Sequence, residues 1–221
     1  MTTVAPELHP RGELLVAEST LAVLIAHAAD PVHAALEGED AQEQLAMLQS
    51  AGVIRGGESH PAIRGALAAI VRPELCTLEL AYGGRSMQGW VSYEDAALLL
   101  PAAEGEDRRR LMHVHPTLLP DVLARLVDLG PRPRPETAGP LPYENGAVGE
   151  VKRRWRLGAT WTLEDGQSGG DGLEVLDADT GLWMLAPRED GGELLAWPVT
   201  PTFVWRHIVR LVMRRAVDAH A

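Results

Sequence analysis

The sequence contains a single cysteine, Cys76, among its 221 residues. One cysteine excludes an intramolecular disulfide and is typical of proteins that fold in a reducing compartment. Long apolar runs are also missing, because the longest apolar stretch, within residues 14–29, is interrupted by polar side chains that include Glu18 and His27. This stretch is too polar for a membrane span, and residues 1–11 lack the basic-then-apolar order of a signal peptide. We therefore expect a soluble, cytoplasmic protein.

Positive charge is scarce in this chain. There are 20 Lys and Arg residues against 31 Asp and Glu, which gives a formal net charge of −11 at pH 7. Generic nucleic-acid binding needs a basic face that displaces counterions, so this balance argues against it. The hydrophobic fraction is 46%, which is enough to bury a core in a chain of this length. Composition therefore indicates a globular protein with an acidic surface.

What the sequence does have is an internal repeat. Residues 114–127 and 199–212 are identical at six of fourteen positions, at a constant offset of 85 residues. Two strand-like apolar runs separated by an acidic loop precede each copy, and each copy has the apolar spacing of a helix. Thr117 and Thr202 are the predicted N-caps of these closing helices. Because repeated units usually pack about a pseudo-two-fold axis, we predict an α+β fold of antiparallel strands plus a closing helix in each half.

Three helices are predicted before the first copy. Their ranges are residues 13–28, residues 39–51 with Gly52 as the C-terminal stop, and a segment that opens at residues 59–61 and ends before Pro73. The period then changes to two on both sides of a Gly-Gly dipeptide at residues 83–84, which predicts a tight hairpin. The N-terminal part is thus a helical trio that leads into strands.

Proline is concentrated in residues 131–142, between the two copies. Since proline lacks a backbone donor and favours extended conformations, this segment is predicted to connect the two halves. The predicted organisation is therefore N-terminal helices and a first αβ half over 1–130, a linker over 131–150, and a second αβ half over 151–221. Together they are expected to form one pseudo-symmetric domain. Residues 166–172, with glycine at four of seven positions, are predicted to form a mobile loop.

One stretch matches the hydrolase pattern G-x-S-x-G, with Ser168 at the nucleophile position. That motif needs a strand before it and a helix after it, whereas a strand-like run follows here. Asp177 and His207 follow in the chain order of a triad, so a serine hydrolase using these three residues is kept as an alternative. Asp177 and Asp179 are spaced as in aspartyl phosphotransfer motifs, but an Asp-rich turn between strands is the favoured interpretation.

Metal and cofactor sites are not predicted. His113 and His115 would share one face of a strand, but two ligands do not make a zinc site, and no third ligand is evident. Cys76 lies in an apolar run and is predicted to be a small buried hydrophobe. The sequence therefore predicts no catalytic residue, no metal and no cofactor.

Five of the six tryptophans lie after residue 150. Trp205 occupies the position of Pro120 in the other copy, next to Phe203, in the first turn of the final helix. A large aromatic there is either core or an interface anchor. With Trp197, these two aromatics are the predicted partner-binding residues. The helical trio leaves a second alternative open, a winged-helix-like regulator, although none of its helices is rich in Lys or Arg.

The order of these elements resembles the EspG-type chaperones of ESX (type VII) secretion in actinobacteria. The motifs that carry the resemblance are Leu45-x-x-Leu48-x-x-x-Gly52-Val-Ile54, Ala66-Leu-x-x-Ile70 before Pro73, Leu98–Pro101, His113-Val114-x-Pro-Thr117 leading into Leu123-x-x-Leu126-Val-x-Leu129-Gly-Pro131, Arg154-Trp-Arg156, and Leu176-Asp177-x-x-x-Gly181. The resemblance implies a pseudo-two-fold α+β fold without enzymatic activity. It also implies a cytosolic chaperone that binds a secreted helical client of the PE/PPE type. A homodimer is compatible with this interpretation and is kept as a separate alternative. It assigns no binding residue to a position of this sequence.

Overall fold

The computed structural model describes residues 5–10, 12–31, 38–103, 107–137, 139–143, 147–162, 166–188 and 193–218. The helices in this part of the chain are α1 Glu18–Ala29, α2 Glu39–Ser50, α3 Pro61–Val71, α4 Leu119–Leu126 and α5 Pro201–Asp218. The strands are β1 Glu7–Leu8, β2 Glu13–Ala17, β3 Ile54–Arg55, β4 Glu58–Ser59, β5 Cys76–Tyr82, β6 Arg85–Val91, β7 Ala96–Pro101, β8 Arg108–Val114, β9 Leu141–Pro142, β10 Val151–Thr162, β11 Ser168–Ala178, β12 Gly181–Pro187 and β13 Leu194–Val199. This is the predicted α+β class, with antiparallel strands and helices.

The chain divides into two compact units, of which unit 1 comprises Met1–Thr77 and Met87–Pro116. Its strands follow the order β1-β2-β8-β7-β6, and α1 and α3 lie against this sheet. Side chains from both layers form one core, in which Leu14, Leu67 and Leu111 are almost fully buried. Burial of these apolar side chains is the main stabilising contribution of unit 1.

The N-terminal boundary of the first predicted helix was wrong. Residues 13–17 form strand β2, which pairs with β8 through Leu14 and Leu111, and α1 begins only at Glu18. The burial pattern alternates along β2, with Leu14 and Val16 inside, because side chains on a strand point to opposite faces. The other two N-terminal helices are confirmed, and Gly52 ends α2 in a left-handed conformation with φ 70°.

Unit 2 comprises Leu78–Ser86 and Thr117–Ala221. Its strands follow the order β5-β10-β11-β12-β13-β9, and α5 packs against β10 and β11. A second apolar cluster includes Val148, Leu176 and Trp183, and the partly buried Leu141 and Tyr143 pack against it. The predicted hairpin is also confirmed, since the two residues between β5 and β6 have φ of 52° and 74°, as a type I′ turn requires. The boundaries predicted from the repeat, 1–130, 131–150 and 151–221, stay a prediction.

The predicted mobile loop over residues 166–172 is instead largely strand. Gly169, Gly170 and Gly172 belong to β11 and pair in register with residues of β10. A Cβ at Gly169 would overlap the indole ring of Trp161, its cross-strand partner. Glycine therefore serves close side-chain packing here and not chain mobility.

The proline-rich segment packs in unit 2. Leu141–Pro142 forms the edge strand β9 beside β13, and a Cβ at Gly181 would collide with the carbonyl of Pro133 and the ring of Pro135.

Among the described helices, none combines the length and apolar character needed to span a bilayer.

The closing helices begin differently from the prediction. Residues 116–118 form a 3-10 turn, so α4 starts at Leu119 and has no side-chain N-cap, and Thr117 is not its cap. In the second copy α5 starts at Pro201, which places Thr202 inside the first turn. The hydroxyl of Thr200 accepts the hydrogen bond from Phe203 N at 3.2 Å and takes the capping role instead.

Candidate functional site

A groove lies between α4 and α5, which pack against each other within unit 2. Its volume is about 630 Å³. The residues that line it are Asp121, Ala124, Arg125, Leu129, Gly130, Pro131, Pro201, Thr202 and Trp205. One wall is thus α4 and the chain that leaves it, and the other wall is the start of α5. A mainly apolar cleft between two helices, with two charged residues in its lining, can receive a segment of another protein.

The chain after α4 turns into the groove because of how the helix ends. Asp128 has φ 52°, its N–H donates to Arg125 O at 3.1 Å, and the N–H of Leu129 donates to Ala124 O at 2.8 Å. These two bonds form a Schellman motif, in which the residue after the C-cap is left-handed. Gly130 and Pro131 follow directly and stop the helix from continuing. The sequence Asp-Leu-Gly-Pro therefore builds one wall of the groove.

Trp205 is the one predicted partner-binding residue that lines the groove. It is half-buried in the second turn of α5, two residues after Phe203. Two helical residues span about 200°, so Phe203 points to a different side of the helix. The Phe203 ring is 44% exposed and lies 6.1 Å from the ring of His207.

Trp197 lies apart from the groove lining. It is 42% exposed on strand β13, directly opposite Met184 on β12. Residues that face each other in an antiparallel pair share one side of the sheet, so Trp197 and Met184 form an apolar pair there. The structure thus presents three aromatic side chains around the start of α5, but brings only Trp205 into a concave surface.

A network of ion pairs lies directly behind the α4 wall. Arg132 donates from Nε to Asp177 Oδ1 and from Nη2 to Asp177 Oδ2, both at 2.9 Å. Arg153 binds the Asp128 carboxylate at 2.7 Å. The hydrogen bond from Arg153 lowers the pKa of Asp128, and the hydrogen bonds to Asp177 raise the pKa of Arg132. Because the Asp177 carboxylate is only 7% exposed, its fork-to-fork pairing with Arg132 is needed to offset its desolvation.

His207 lies on α5, away from the groove lining. Its Nε2 is 3.1 Å from Arg210 Nη2, and Arg210 in turn pairs with Asp171 at 3.3 Å. Burial lowers the pKa of His207 first, the positive charge of Arg210 lowers it further, and Asp171 acts in the opposite direction. His207 therefore favours its neutral form.

The residues of the hydrolase alternative do not have the geometry that their motif requires. Ser168 is exposed at the first position of β11, so a strand and not a helix follows it. Both carboxylate oxygens of Asp177 are held by Arg132, and His207 has Arg210 beside its Nε2. Among the described residues, no hydrogen bond joins Asp177 to His207 or His207 to Ser168, as a triad requires.

The remaining polar motifs have structural roles. Asp179 and Thr180 form the turn that joins β11 to β12, and Asp179 Oδ1 accepts from Glu150 N at 3.1 Å, which confirms the turn interpretation. His113 pairs with Asp95 at 2.6 Å, whereas His115 lies beyond the end of β8.

Among the described residues no three His, Cys, Asp or Glu side chains are placed to hold a metal ion. Cys76 is buried, which raises its pKa to about 12 and makes the thiol unreactive.

Unit 1 has a cleft of its own, of about 840 Å³. It includes His27, whose Nε2 bonds to Gly57 O at 3.1 Å, and Tyr93, which is 62% exposed. Helix α3 borders it, but Arg64 is the one basic residue of this helix, and it pairs with Glu58 at 2.8 Å. Helix α3 therefore lacks the cluster of basic side chains with which a recognition helix reads DNA.

The sequence prediction missed most of the groove. Arg125, Leu129, Gly130 and Pro131 contribute to it but were not predicted as site residues. The indication was present in the helix stop at residues 128–131, which directs the chain back across the end of α4. What the sequence did not give is the distance between α4 and α5, because they lie 74 residues apart along the chain.

Comparison of this chain with solved structures identifies its fold. No protein-family model and no curated protein matches the sequence. Among solved structures, the chain is similar to the type VII secretion system chaperone EspG5 of Mycobacterium tuberculosis, solved in complex with a PE25–PPE41 dimer. The TM-score is 0.61 at 10% sequence identity, and the alignment covers 91% of this chain and 96% of that chain. At this identity the similarity establishes the fold that the resemblance predicted.

Proposed function

We propose that this protein is a cytosolic chaperone that binds a secreted helical client of the PE/PPE type. The observation that carries the proposal is the fold that this chain shares with EspG5, a chaperone solved with a PE25–PPE41 dimer. The similarity extends over nearly the whole of both chains. Fold alone does not specify function, so the proposal also depends on a surface suited to such a client. We assign that surface to the groove between α4 and α5.

The groove suits the apolar end of a client helix. Trp205, Leu129 and Pro131 offer apolar surface in its lining, and Asp121 and Arg125 add one charge of each sign. A helix that lays apolar side chains into such a groove is a common mode of peptide recognition. Trp205 is suited to be its anchor, because a half-buried tryptophan has a large surface to bury and an indole N–H to donate.

Phe203 and Trp197 extend this surface in the proposal. Both are more than 40% exposed, and apolar side chains of this size are candidates for contacts around a central anchor. We expect them to contribute less than Trp205, since neither lines the groove. The net charge of −11 keeps the complex soluble while the apolar part of the client is covered.

Co-purification tests this function. The tagged full chain is expressed with a PE/PPE-type protein pair from the same organism, and binding of the recovered complex is measured by titration. Trp205→Ala is expected to weaken binding by at least about 2 kcal/mol, roughly thirtyfold in Kd. Leu194→Ala is the matched control, because Leu194 is a large exposed apolar residue outside the groove and its loss leaves binding unchanged.

The outcomes separate the function from the surface. If no PE/PPE-type pair binds, and light scattering shows only a homodimer of this chain, the chaperone proposal is rejected. If a pair binds but Trp205→Ala and Leu194→Ala behave alike, the function stands and the groove is the wrong surface. A loss that is confined to Phe203→Ala or Trp197→Ala would move the site to the exposed aromatics.

A further inference from the structure

We infer that Arg132 is a positioning residue for the partner groove: it fixes the wall formed by Leu129, Gly130 and Pro131 by tying that segment to Asp177. This inference rests on the proposed function, because it concerns the same groove. It adds a residue that does not line the groove and that no sequence pattern singled out.

The first observation is how completely the Arg132 guanidinium is used. Besides its two bonds to Asp177, Nη2 donates to the carbonyl of Asp128 at 3.0 Å and Nη1 donates to the carbonyl of Pro131 at 3.1 Å. The two carbonyls stand at the beginning and the end of the wall segment. A single planar group thus joins both ends of this segment to strand β11, where Asp177 is anchored.

The second observation is that the anchor itself is rigid. Asp177 is 5% exposed in the interior of unit 2, and its position is set by the pairing of β11 with β10 and β12. A buried carboxylate without its partner is strongly unfavourable, so the pair resists opening. The Arg132–Asp177 pair therefore ties the wall to the sheet at a buried point.

The third observation is that the wall lacks other secondary structure to hold it. Residues 127–140 contain neither helix nor strand in their described part, and Pro131 has no backbone N–H to donate. Asp128 is additionally bound by Arg153 at 2.7 Å, but that carboxylate is 65% exposed, and ion pairs at such sites contribute little. Of these two ion pairs, the buried one between Arg132 and Asp177 is the stronger restraint.

A distance measurement across the groove tests the inference without any client. Leu129→Cys and Thr202→Cys place one spin label on each wall of the full chain, and the buried Cys76 remains unlabelled because its thiol is inaccessible. With Arg132 intact we expect one narrow distance distribution. Arg132→Lys keeps the charge but loses the fork, so the distribution broadens while the thermal unfolding midpoint stays above the temperature of measurement.

Two further variants keep the inference testable. Arg134→Lys is the matched control, because Arg134 is exposed in the same segment, and it leaves the distribution narrow. Asp128→Gly removes the exposed ion pair with Arg153 while keeping the left-handed helix end, and it leaves the distribution nearly as narrow as in the wild type. Asp177→Asn replaces the carboxylate at the other end of the pair and broadens the distribution as Arg132→Lys does.

The result that overturns the inference is an unchanged distance distribution in Arg132→Lys and Asp177→Asn. That result would leave the proposed function untouched, since client binding does not enter the measurement. Where a client is bound, Arg132→Lys is expected to weaken its binding about tenfold, the scale of one charge-assisted hydrogen bond. In the background of Trp205→Ala this additional loss disappears, because both residues act through one surface.

Discussion

The two copies of the repeat close with helices that share their buried positions but not their ends. Leu119 and Leu123 in α4 correspond to Val204 and Ile208 in α5, and all four are at most 1% exposed. Yet α4 has 8 residues and follows a 3-10 turn, whereas α5 has 18 residues and begins directly at its proline. The same apolar stripe therefore supports helices of very different length.

This difference shows which residues determine the surface that each helix presents. Where α4 has the buried Pro120, α5 has Trp205, which lines the groove. Where α4 ends in the left-handed Asp128 and a Gly-Pro pair, the sequence of α5 contains neither glycine nor a further proline after its start. The apolar stripe directs packing into the core. The positions outside it set where each helix stops and what it presents to a partner.

Truncation of the shared core positions gives the largest expected effect. Leu123→Ala and Ile208→Ala each remove a side chain that is 1% exposed, and each should lower the free energy of unfolding by about 2–5 kcal/mol. Urea denaturation measures this loss. Leu118→Ala and Phe203→Ala are matched controls at equivalent exposed positions and should stay within about 0.5 kcal/mol. A copy that tolerated truncation of its buried residue would break the equivalence of the two helices.

The start of α5 provides a second, smaller contrast. Thr200→Ala removes the hydroxyl that accepts from Phe203 N, and we expect a loss of about 1 kcal/mol in the free energy of unfolding. Thr202→Ala, inside the first turn, should cost much less. Thermal or denaturant unfolding of the two variants decides between them. Equal losses would contradict the assignment of the capping role to Thr200 alone.

The sequence predicted most of the fold because local sequence patterns mark most of its helices, strands and turns. The repeat located β12, β13 and α5 from their counterparts, and glycines at positions 83–84 and 52 marked a turn and a helix end where positive φ is required. It failed where pairing overrode propensity. Leu14 lies in a strand because it pairs with β8. Gly169 lies in a strand because it pairs with Trp161 on β10, and the indole ring of Trp161 leaves no room for a side chain there.

The candidate site was predictable only in part, and for a related reason. Trp205 stood out because an aromatic replaced a proline within the repeat, which is a comparison that the sequence alone allows. The wall formed by Leu129, Gly130 and Pro131 depends on where α4 meets α5, and its fixation depends on Asp177, 45 residues from Arg132. Contacts over such separations are set by tertiary packing, which no local pattern encodes.

The smallest expected effect concerns the position where Val122 in α4 corresponds to His207 in α5. Burial and Arg210 hold the pKa of His207 below its ordinary value of 6.5, so protonation is easier in the unfolded chain than in the folded one. The neutral form thus contributes stability that is fully present above about pH 6.5 and is lost as the pH falls below it.

We expect His207→Val, which gives α5 the residue of α4, to remove this dependence. Asp171→Asn, which removes the charge that raises the pKa, should enlarge it. The measurement is the difference in free energy of unfolding between wild type and variant at pH 7.5 and pH 5, because the difference cancels the titration of all other groups. A difference that stays constant between the two pH values would show that His207 is as indifferent to protonation as the valine of the other copy.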